Sequence, residues 1–141
     1  DWKSPEKLTG MFARAASRGG NVLLNIGPKP DGTFPDEANS RLEKIGEWMK
    51  HNGEAIRGST YGTIRGVSGV ESFRQGAKTY IAITQPPDDG NVTFPWDEDI
   101  ESRLDLETGN IIEIEAVDGK VSFALPKKTV IAPPVFELVS S

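Results

Sequence analysis

The residues best suited to chemistry in this sequence are carboxylates that are spread along the chain. A glycosidic bond is usually hydrolysed between two facing carboxyl groups, which are about 5 Å apart when the configuration is retained. Asp31 and Glu54 are candidates, and an acidic run supplies Asp97, Glu98, Asp99 and Glu101. Each also has a structural interpretation, which we favour. Asp31 belongs to a turn dipeptide, Glu54 follows a predicted helix end, and the acidic run is typical of a solvated loop.

Other catalytic chemistries have few candidate residues. The sequence has no cysteine and one histidine, His51, which excludes zinc–thiolate and multi-histidine sites and argues against a serine triad. Gly27 is followed by Pro28, so the sequence has neither a phosphate-binding loop nor a dinucleotide fingerprint. We therefore expect no metal and no cofactor.

Two further side chains are weaker candidates for ligand contact. Asn25 lies near the C-terminal end of a strand-like run, where βα barrels place their active sites. A purely structural role, in which Asn25 binds neighbouring loop backbone, is the favoured alternative. Trp96 lies between Pro95 and Asp97 and is the one aromatic residue that we expect as an exposed platform for a sugar ring.

The run from Asn21 to Gly27 is the element that would position Asn25. It is apolar without alternation, which predicts a strand covered on both faces, as in a parallel sheet. A helix is predicted before it, from the start signal Ser4-Pro5-Glu6 to a stop at Gly19. The apolar stripe of that helix contains Leu8, Met11, Phe12, Ala15 and Ala16.

A second helix is predicted after a proline-rich loop. It begins near Pro35 or Asp36 and ends at the pair Asn52-Gly53. Its apolar face contains Ala38, Leu42, Ile45, Trp48 and Met49. A helix–strand–helix order is one slice of a βα repeat, yet the rest of the chain offers no parallel partner for the strand.

From about Tyr61 the hydrophobic period changes to two. Short β-forming runs recur about every ten residues, which predicts an antiparallel sandwich of roughly six or seven strands. Asp118-Gly119 predicts a tight hairpin. The clearest predicted strands are Thr79–Thr84, Asn91–Phe94, Ile111–Ala116, Val121–Leu125 and Val135–Val139.

Charge and hydropathy argue against several partners. Lys and Arg total 16 against 21 Asp and Glu, a net charge of −5 without a basic run, so we expect neither nucleic acid nor an anionic membrane as a partner. No apolar run approaches the ~20 residues of a membrane helix. The chain starts at Asp1 without a signal-like segment, and we expect that processing or truncation removed an earlier start.

Four motifs between Trp2 and Gly58 have a specific order and spacing. They are SRGGNVLLNIGP at 17–28, DGTFP at 31–35, GEW at 46–48 and NGEAI at 52–56. Together they resemble the family 29 glycoside hydrolases, the α-L-fucosidases. Phe34 and Arg57 depart from that pattern, because an aliphatic residue and a tyrosine are expected there.

The resemblance implies an α+β composite: the last α-β-α segment of a (β/α)8-like catalytic barrel, followed by an antiparallel β-sandwich. Residues 1–60 would end the barrel, with Asn21 to Gly27 as its last strand and Asp36 to Lys50 as its last helix. Residues 61–141 would form the sandwich. The family's retaining mechanism uses an aspartate nucleophile and, in many members, a glutamate acid/base. Both come from earlier strands and match no position here, so no catalytic residue is assigned.

Two hypotheses about function follow from the resemblance. In the first, the chain is the C-terminal part of a hydrolase that releases α-L-fucose from glycoconjugates, and the chain alone is inactive. Its expected partner is the rest of its own barrel, and the complete barrel would bind a fucosylated glycan. Resemblance to the family then implies a secreted, periplasmic or lysosomal protein. In the second, the sandwich is a non-catalytic carbohydrate-binding or scaffolding module. We prefer the first, because a binding module has no use for the barrel-like half.

Overall fold

The protein has three layers: a pair of helices, a five-stranded sheet and a three-stranded sheet. A computed structural model of the chain describes residues 1–127 and 131–141. Helices α1 (Pro5–Ser17) and α2 (Asp36–Ile56) come first in the sequence. The strands in the described part are β1 (Thr60–Tyr61), β2 (Val70–Gln75), β3 (Lys78–Ile83), β4 (Asn91–Pro95), β5 (Ile100–Asp105), β6 (Glu115–Val117), β7 (Lys120–Ala124) and β8 (Val135–Ser140).

Both sheets are antiparallel. The first sheet has the order β1-β2-β3-β8-β5 and the second the order β4-β7-β6. The combination of helices and antiparallel sheets confirms this part of the predicted fold class. In β4, Val92 and Phe94 are buried between exposed neighbours, as expected of a strand with one solvated face.

Side chains from both sheets fill the core between them. Phe123 contacts Phe136 across the sheets edge-to-face, with ring centroids 4.8 Å apart, and Phe94 packs on Phe123 at 6.1 Å. The buried members of this core are Ile64, Val70, Ile81, Ile83, Val92, Phe94, Val121, Phe123, Phe136 and Leu138.

The first sheet is covered on its other face by the two helices. Trp48 of α2 is fully buried, and its indole Nε1 donates a hydrogen bond of 2.8 Å to the carbonyl oxygen of Pro133. A second core forms here from Ala13, Trp48, Ala55, Phe73, Tyr80, Ala82, Ile131 and Val135. Because β3 is covered on both faces, its residues from Thr79 to Ile83 are all buried.

Helix α1 begins and ends as its sequence predicts. The Ser4 hydroxyl accepts a hydrogen bond from the Lys7 N–H, and Pro5 occupies the first turn. Gly19 takes a φ of 73°, and the Gly20 N–H donates to the Ala15 carbonyl over 2.8 Å, which closes a Schellman motif.

The face that α1 turns to the sheet differs from the predicted stripe. Apart from Leu8, the fully buried residues of α1 are the small ones, Thr9, Gly10, Ala13 and Ser17. The Thr9 hydroxyl donates to the Ala132 carbonyl over 2.6 Å, and the Ser17 hydroxyl donates to the Glu71 carboxylate. Met11 and Phe12 are only half-buried. Small residues let the helix approach closely, so the larger side chains of the stripe remain on its outer side.

Helix α2 does not stop at Asn52-Gly53, so that prediction is wrong. It continues through Gly53 to Ile56, and Gly58 follows with a φ of 76°. A glycine inside a helix costs about 1 kcal/mol relative to alanine. Burial of Ala55 and a hydrogen bond from Tyr80 to Glu54 hold the extra turn on the sheet and offset this cost.

The run Asn21–Gly27 is not a strand in this chain. Residues 21–25 are exposed, and Leu23 leaves 86% of its surface accessible. A strand needs a neighbour for its backbone N–H and carbonyl groups, and the described residues provide no parallel one. The run keeps the apolar sequence of a buried strand without the contacts that would bury it.

Most predicted strands are present, with shifted boundaries. The predicted strand Ile111–Ala116 is reduced to Glu115–Val117, and three strands in the described part were missed, Thr60–Tyr61, Val70–Gln75 and Ile100–Asp105. At the predicted hairpin, Asp118 and Gly119 have φ values of 52° and 73°, as a type I′ turn requires. Among the described helices, none combines the length and the hydropathy of a membrane span.

Amide hydrogen exchange tests this difference between the two apolar runs. We expect weak protection over Asn21–Gly27, which pairs with no strand of the described residues, and strong protection over β3, which pairs with β2 and β8. Mass spectrometry of peptides from the monomer measures both. Equal protection of the two runs in a proven monomer would contradict the architecture described above.

Candidate functional site

Asn25 lies at a small pocket between the start of the chain and the two helices. The pocket has a volume of about 160 Å³, and Asn25 itself is exposed. The Arg41 guanidinium lies over the Trp2 ring at 5.4 Å, and its Nε donates to the Lys3 carbonyl over 2.7 Å. The other lining residues are mainly apolar: Leu8, Leu24, Ile26, Ala38, Leu42 and Ile45.

A larger groove of about 570 Å³, with both apolar and polar groups in its lining, runs beside the same helices. We call the surface that lines it the outer helix face; its apolar residues are Phe12, Ala15, Ala16, Val22, Ile45, Met49 and Ile56. Leu23, Leu24 and Leu42 add further exposed apolar surface. An exposed apolar surface of this kind is typical of a site where protein, membrane or ligand binds.

Asp31 is held inside its own loop. Its Oδ1 accepts hydrogen bonds from the Thr33 hydroxyl at 2.7 Å and the Thr33 N–H at 3.0 Å. Both hydrogen bonds lower the pKa of Asp31 from its usual value, and the bond from the Thr33 hydroxyl has the larger effect. The structural interpretation of Asp31 as a turn residue therefore agrees with its geometry.

Glu54 lies in the last turn of α2, inside the helix and not beyond its end. Its Oε2 accepts a 3.0 Å hydrogen bond from the Tyr80 hydroxyl on β3. Burial, and then the Glu54 carboxylate, raise the pKa of Tyr80 above its ordinary value. Gln75 of β2 strengthens the same junction, because its amide donates to the carbonyls of Glu54 and Arg57 over 2.6 and 2.8 Å.

The acidic run is not a simple solvated loop. Arg74 donates two hydrogen bonds to Glu98, of 2.7 and 3.2 Å, which lowers the pKa of Glu98 and raises that of Arg74. Glu101 lies within β5, while Asp97 and Asp99 are exposed. Glu98 thus joins the loop after β4 to β2 of the first sheet.

Trp96 is half-buried. Its Nε1 donates a 2.7 Å hydrogen bond to the Glu98 carbonyl, and its ring packs edge-to-face on Phe94 at 6.2 Å. It packs against the core between the sheets, whereas Asn25 lies beside the helices on the far side of the first sheet. The structure therefore does not bring the two weak candidates together, and their roles stay predictions.

The two isolated carboxylates do not face each other. Asp31 is bound to Thr33 in the loop before α2, whereas Glu54 is bound to Tyr80 in the last turn of α2, a helix that rises about 27 Å from Asp36 to Glu54. A glycosidase pair needs about 5–10 Å. Over residues 1–127 and 131–141, no three metal-binding side chains of the His, Cys, Asp or Glu types cluster together.

Comparison with known proteins relates this geometry to one family. The family model described as "Alpha-L-fucosidase" matches residues 1–54. The chain is 45% identical over 56 residues to a plasma α-L-fucosidase of Rattus norvegicus, which covers 40% of this chain and 12% of the relative. It is 30% identical over 97 residues to an α-L-fucosidase of Branchiostoma floridae, which covers 67% of this chain and 22% of that protein.

A solved structure extends the match to nearly the whole chain. The family 29 α-L-fucosidase of Bacteroides thetaiotaomicron, trapped as a covalent intermediate, superposes with a TM-score of 0.85 at 25% identity. The chain belongs to the α-L-fucosidase family. It corresponds to the C-terminal portion of these enzymes, and the superposition covers 98% of this chain and 32% of the Bacteroides chain. The chain therefore spans about a third of this α-L-fucosidase.

Several residues that hold the fucosidase portion together were not singled out from the sequence. Tyr80, Gln75 and Arg74 join the helices or the acidic loop to the first sheet. None belongs to a recognisable motif, because each acts on a partner that is distant in sequence. Trp48 was predicted as an apolar residue of α2, but its hydrogen bond to Pro133 has no sequence signal.

The buried Tyr80 hydroxyl gives a pH test of the junction between α2 and the first sheet. Because folding raises its pKa, Tyr80 contributes stability that is fully present below the unfolded value of about 10 and is lost as the pH rises above it. The sequence has two tyrosines, so Tyr61→Phe leaves Tyr80 as the single phenol. When the pH of that variant is raised, we expect the phenolate absorbance of Tyr80 to appear together with the loss of far-ultraviolet circular dichroism that reports unfolding. Ionisation of Tyr80 near pH 10 in a fully folded chain would contradict its burial against Glu54.

Proposed function

We propose that the chain is the C-terminal part of a retaining α-L-fucosidase and completes a catalytic barrel whose other strands lie in sequence outside it. Residues 1–60 supply the last helix–strand–helix segment of a (β/α)8-like barrel, and residues 61–141 supply the C-terminal β-sandwich. The outer helix face carries this proposal, because its apolar side chains line a groove that is open to solvent in the part of the chain that the structure describes.

The run Asn21–Gly27 fits the same explanation. Its sequence is that of a strand buried on both faces, yet its residues are largely exposed and unpaired here. A neighbouring barrel strand would satisfy the backbone groups of the run, and barrel helices would cover Leu23 and Leu24. The partner of the outer helix face is then the rest of the same barrel.

The catalytic carboxylates are proposed to come from the earlier barrel strands. Asp31, Glu54 and Glu98 are each engaged in hydrogen bonds that explain them structurally, and each is bound to a different partner: Thr33, Tyr80 and Arg74. The chain on its own is therefore proposed to be inactive. In the complete enzyme, the substrate class is a fucosylated glycan.

The alternative, a stand-alone carbohydrate-binding or scaffolding sandwich, receives less support. Its one sugar platform, Trp96, is half-buried and uses its indole N–H in an internal hydrogen bond. The helices also share a buried core with the first sheet, centred on Trp48 and Tyr80. A sandwich that functioned alone would have no use for helices fixed to it in this way.

The isolated chain tests the proposed division of labour. We expect that it does not release nitrophenol from nitrophenyl α-L-fucoside, because without nucleophile and acid/base there is no covalent route and no leaving-group protonation. Absorbance of the purified chain with substrate measures this, and the complete enzyme at the same concentration serves as the positive control. Inhibitor-sensitive release by the pure chain would overturn the proposal.

Leu24 and Asn25 test the barrel in the complete enzyme, because neighbouring residues of a strand face opposite sides. Leu24→Ala should cost about 2–5 kcal/mol of stability with little change in kcat/KM of the folded enzyme. Asn25→Ala should cost less stability but lower kcat/KM by misplacing the loop from Pro28 to Thr33. Urea unfolding and steady-state kinetics measure both variants. An Asn25→Ala enzyme that unfolds early with intact kinetics would show that Asn25 is structural.

A further inference from the structure

The sequence contains one Asn-x-Ser/Thr triplet without proline at its centre, Asn91-Val92-Thr93. This triplet is the acceptor signal for N-linked glycosylation in the eukaryotic secretory pathway. It lies at the start of β4, far from the outer helix face in the sequence. The triplet has no part in the proposed fucosidase activity.

The structure presents both recognition groups of the triplet on one accessible face. Side chains alternate along a strand, so Asn91 and Thr93 point outward while Val92 is buried in the core. The Asn91 side-chain nitrogen has one weak contact of 3.5 Å to the Asp89 carbonyl, and the Asp89 carboxylate accepts from the Asn91 backbone N–H instead. The amide that would carry a sugar is therefore not locked into the fold.

The neighbours of Asn91 on this face leave room for a large substituent. The residue directly opposite Asn91 is Ala124, and the one opposite Thr93 is Ser122, whose hydroxyl lies 2.8 Å from that of Thr93. Both neighbours are small, and Ala124 is exposed. β4 is also an edge of the second sheet in the described part of the chain, so a bulky group at Asn91 displaces no described strand.

We propose that Asn91 carries an N-linked oligosaccharide when the chain passes through a eukaryotic secretory pathway, and that the folded sandwich accommodates it at the edge of β4. In the reaction, the Asn91 amide nitrogen attacks the anomeric carbon of an oligosaccharide carried on a lipid pyrophosphate. A carbon–nitrogen bond forms, the bond from that carbon to the phosphate oxygen breaks, the lipid pyrophosphate leaves and the amide gives up one proton. The attached glycan then shields the free edge, as bulky polar groups do on other edge strands.

The test is secretion of the chain, behind a cleavable leader, from cultured insect cells. Intact mass is measured before and after peptide N-glycosidase, which leaves aspartate at each position that carried a glycan. We expect one occupied position, at residue 91, and none in Asn91→Gln or Thr93→Ala. Thr93→Ser keeps the hydroxyl and should keep the glycan. Asn39→Gln changes an exposed asparagine outside any acceptor triplet and should leave occupancy unchanged.

A second measurement tests accommodation by the fold. The glycosylated and enzymatically trimmed chains should have Tm values within about 2 °C of each other, because the sugar displaces no core side chain. Secreted, folded chain without added mass at Asn91 would overturn the assignment. A glycosylated chain that melts well below the trimmed chain would overturn the claim that the edge of β4 accommodates the sugar.

Discussion

The buried indole of Trp48 fixes the helical half of the chain to the sandwich, and the rest of the architecture depends on it. Its ring packs against the first sheet, and its N–H satisfies the Pro133 carbonyl just before β8. Loss of that hydrogen bond would leave a buried carbonyl unpaired, which costs about 1–3 kcal/mol. Since β8 lies between β3 and β5, this one contact links α2 to the centre of the sheet.

Because α1 and α2 turn one side to the sheet, their apolar residues divide into two sets. The small residues of α1, with Trp48 and Ala55 of α2, meet the sheet; Phe12 lies at the outer helix face, and Met49 and Ile56 contact the core as well as that face. A helix with apolar residues on both sides is expected between two layers of a larger protein. The sandwich therefore acts as a firm base for the helices, and the outer helix face is what the proposed barrel would cover.

Sequence reasoning succeeded where the signal was local. The cap at Ser4, the stop at Gly19 and the Asp118-Gly119 turn depend on a few adjacent residues, and all are present. It failed where distant contacts decide. Burial against the sheet carries α2 past Gly53, and Asn21–Gly27 pairs with no strand among the described residues. Most of the candidate site could not be predicted for the same reason. Asn25 has a recognisable position in a motif, but its proposed catalytic partners lie outside these 141 residues.

The central claim is that this chain completes a barrel whose nucleophile comes from other sequence. Covalent labelling of the complete enzyme with 2-fluoro-fucosyl fluoride, the reagent bound in the related Bacteroides thetaiotaomicron structure, tests it most directly. After proteolysis and mass spectrometry, the labelled peptide is expected to contain an aspartate outside the 141 residues. A label on any carboxylate within them would contradict the account.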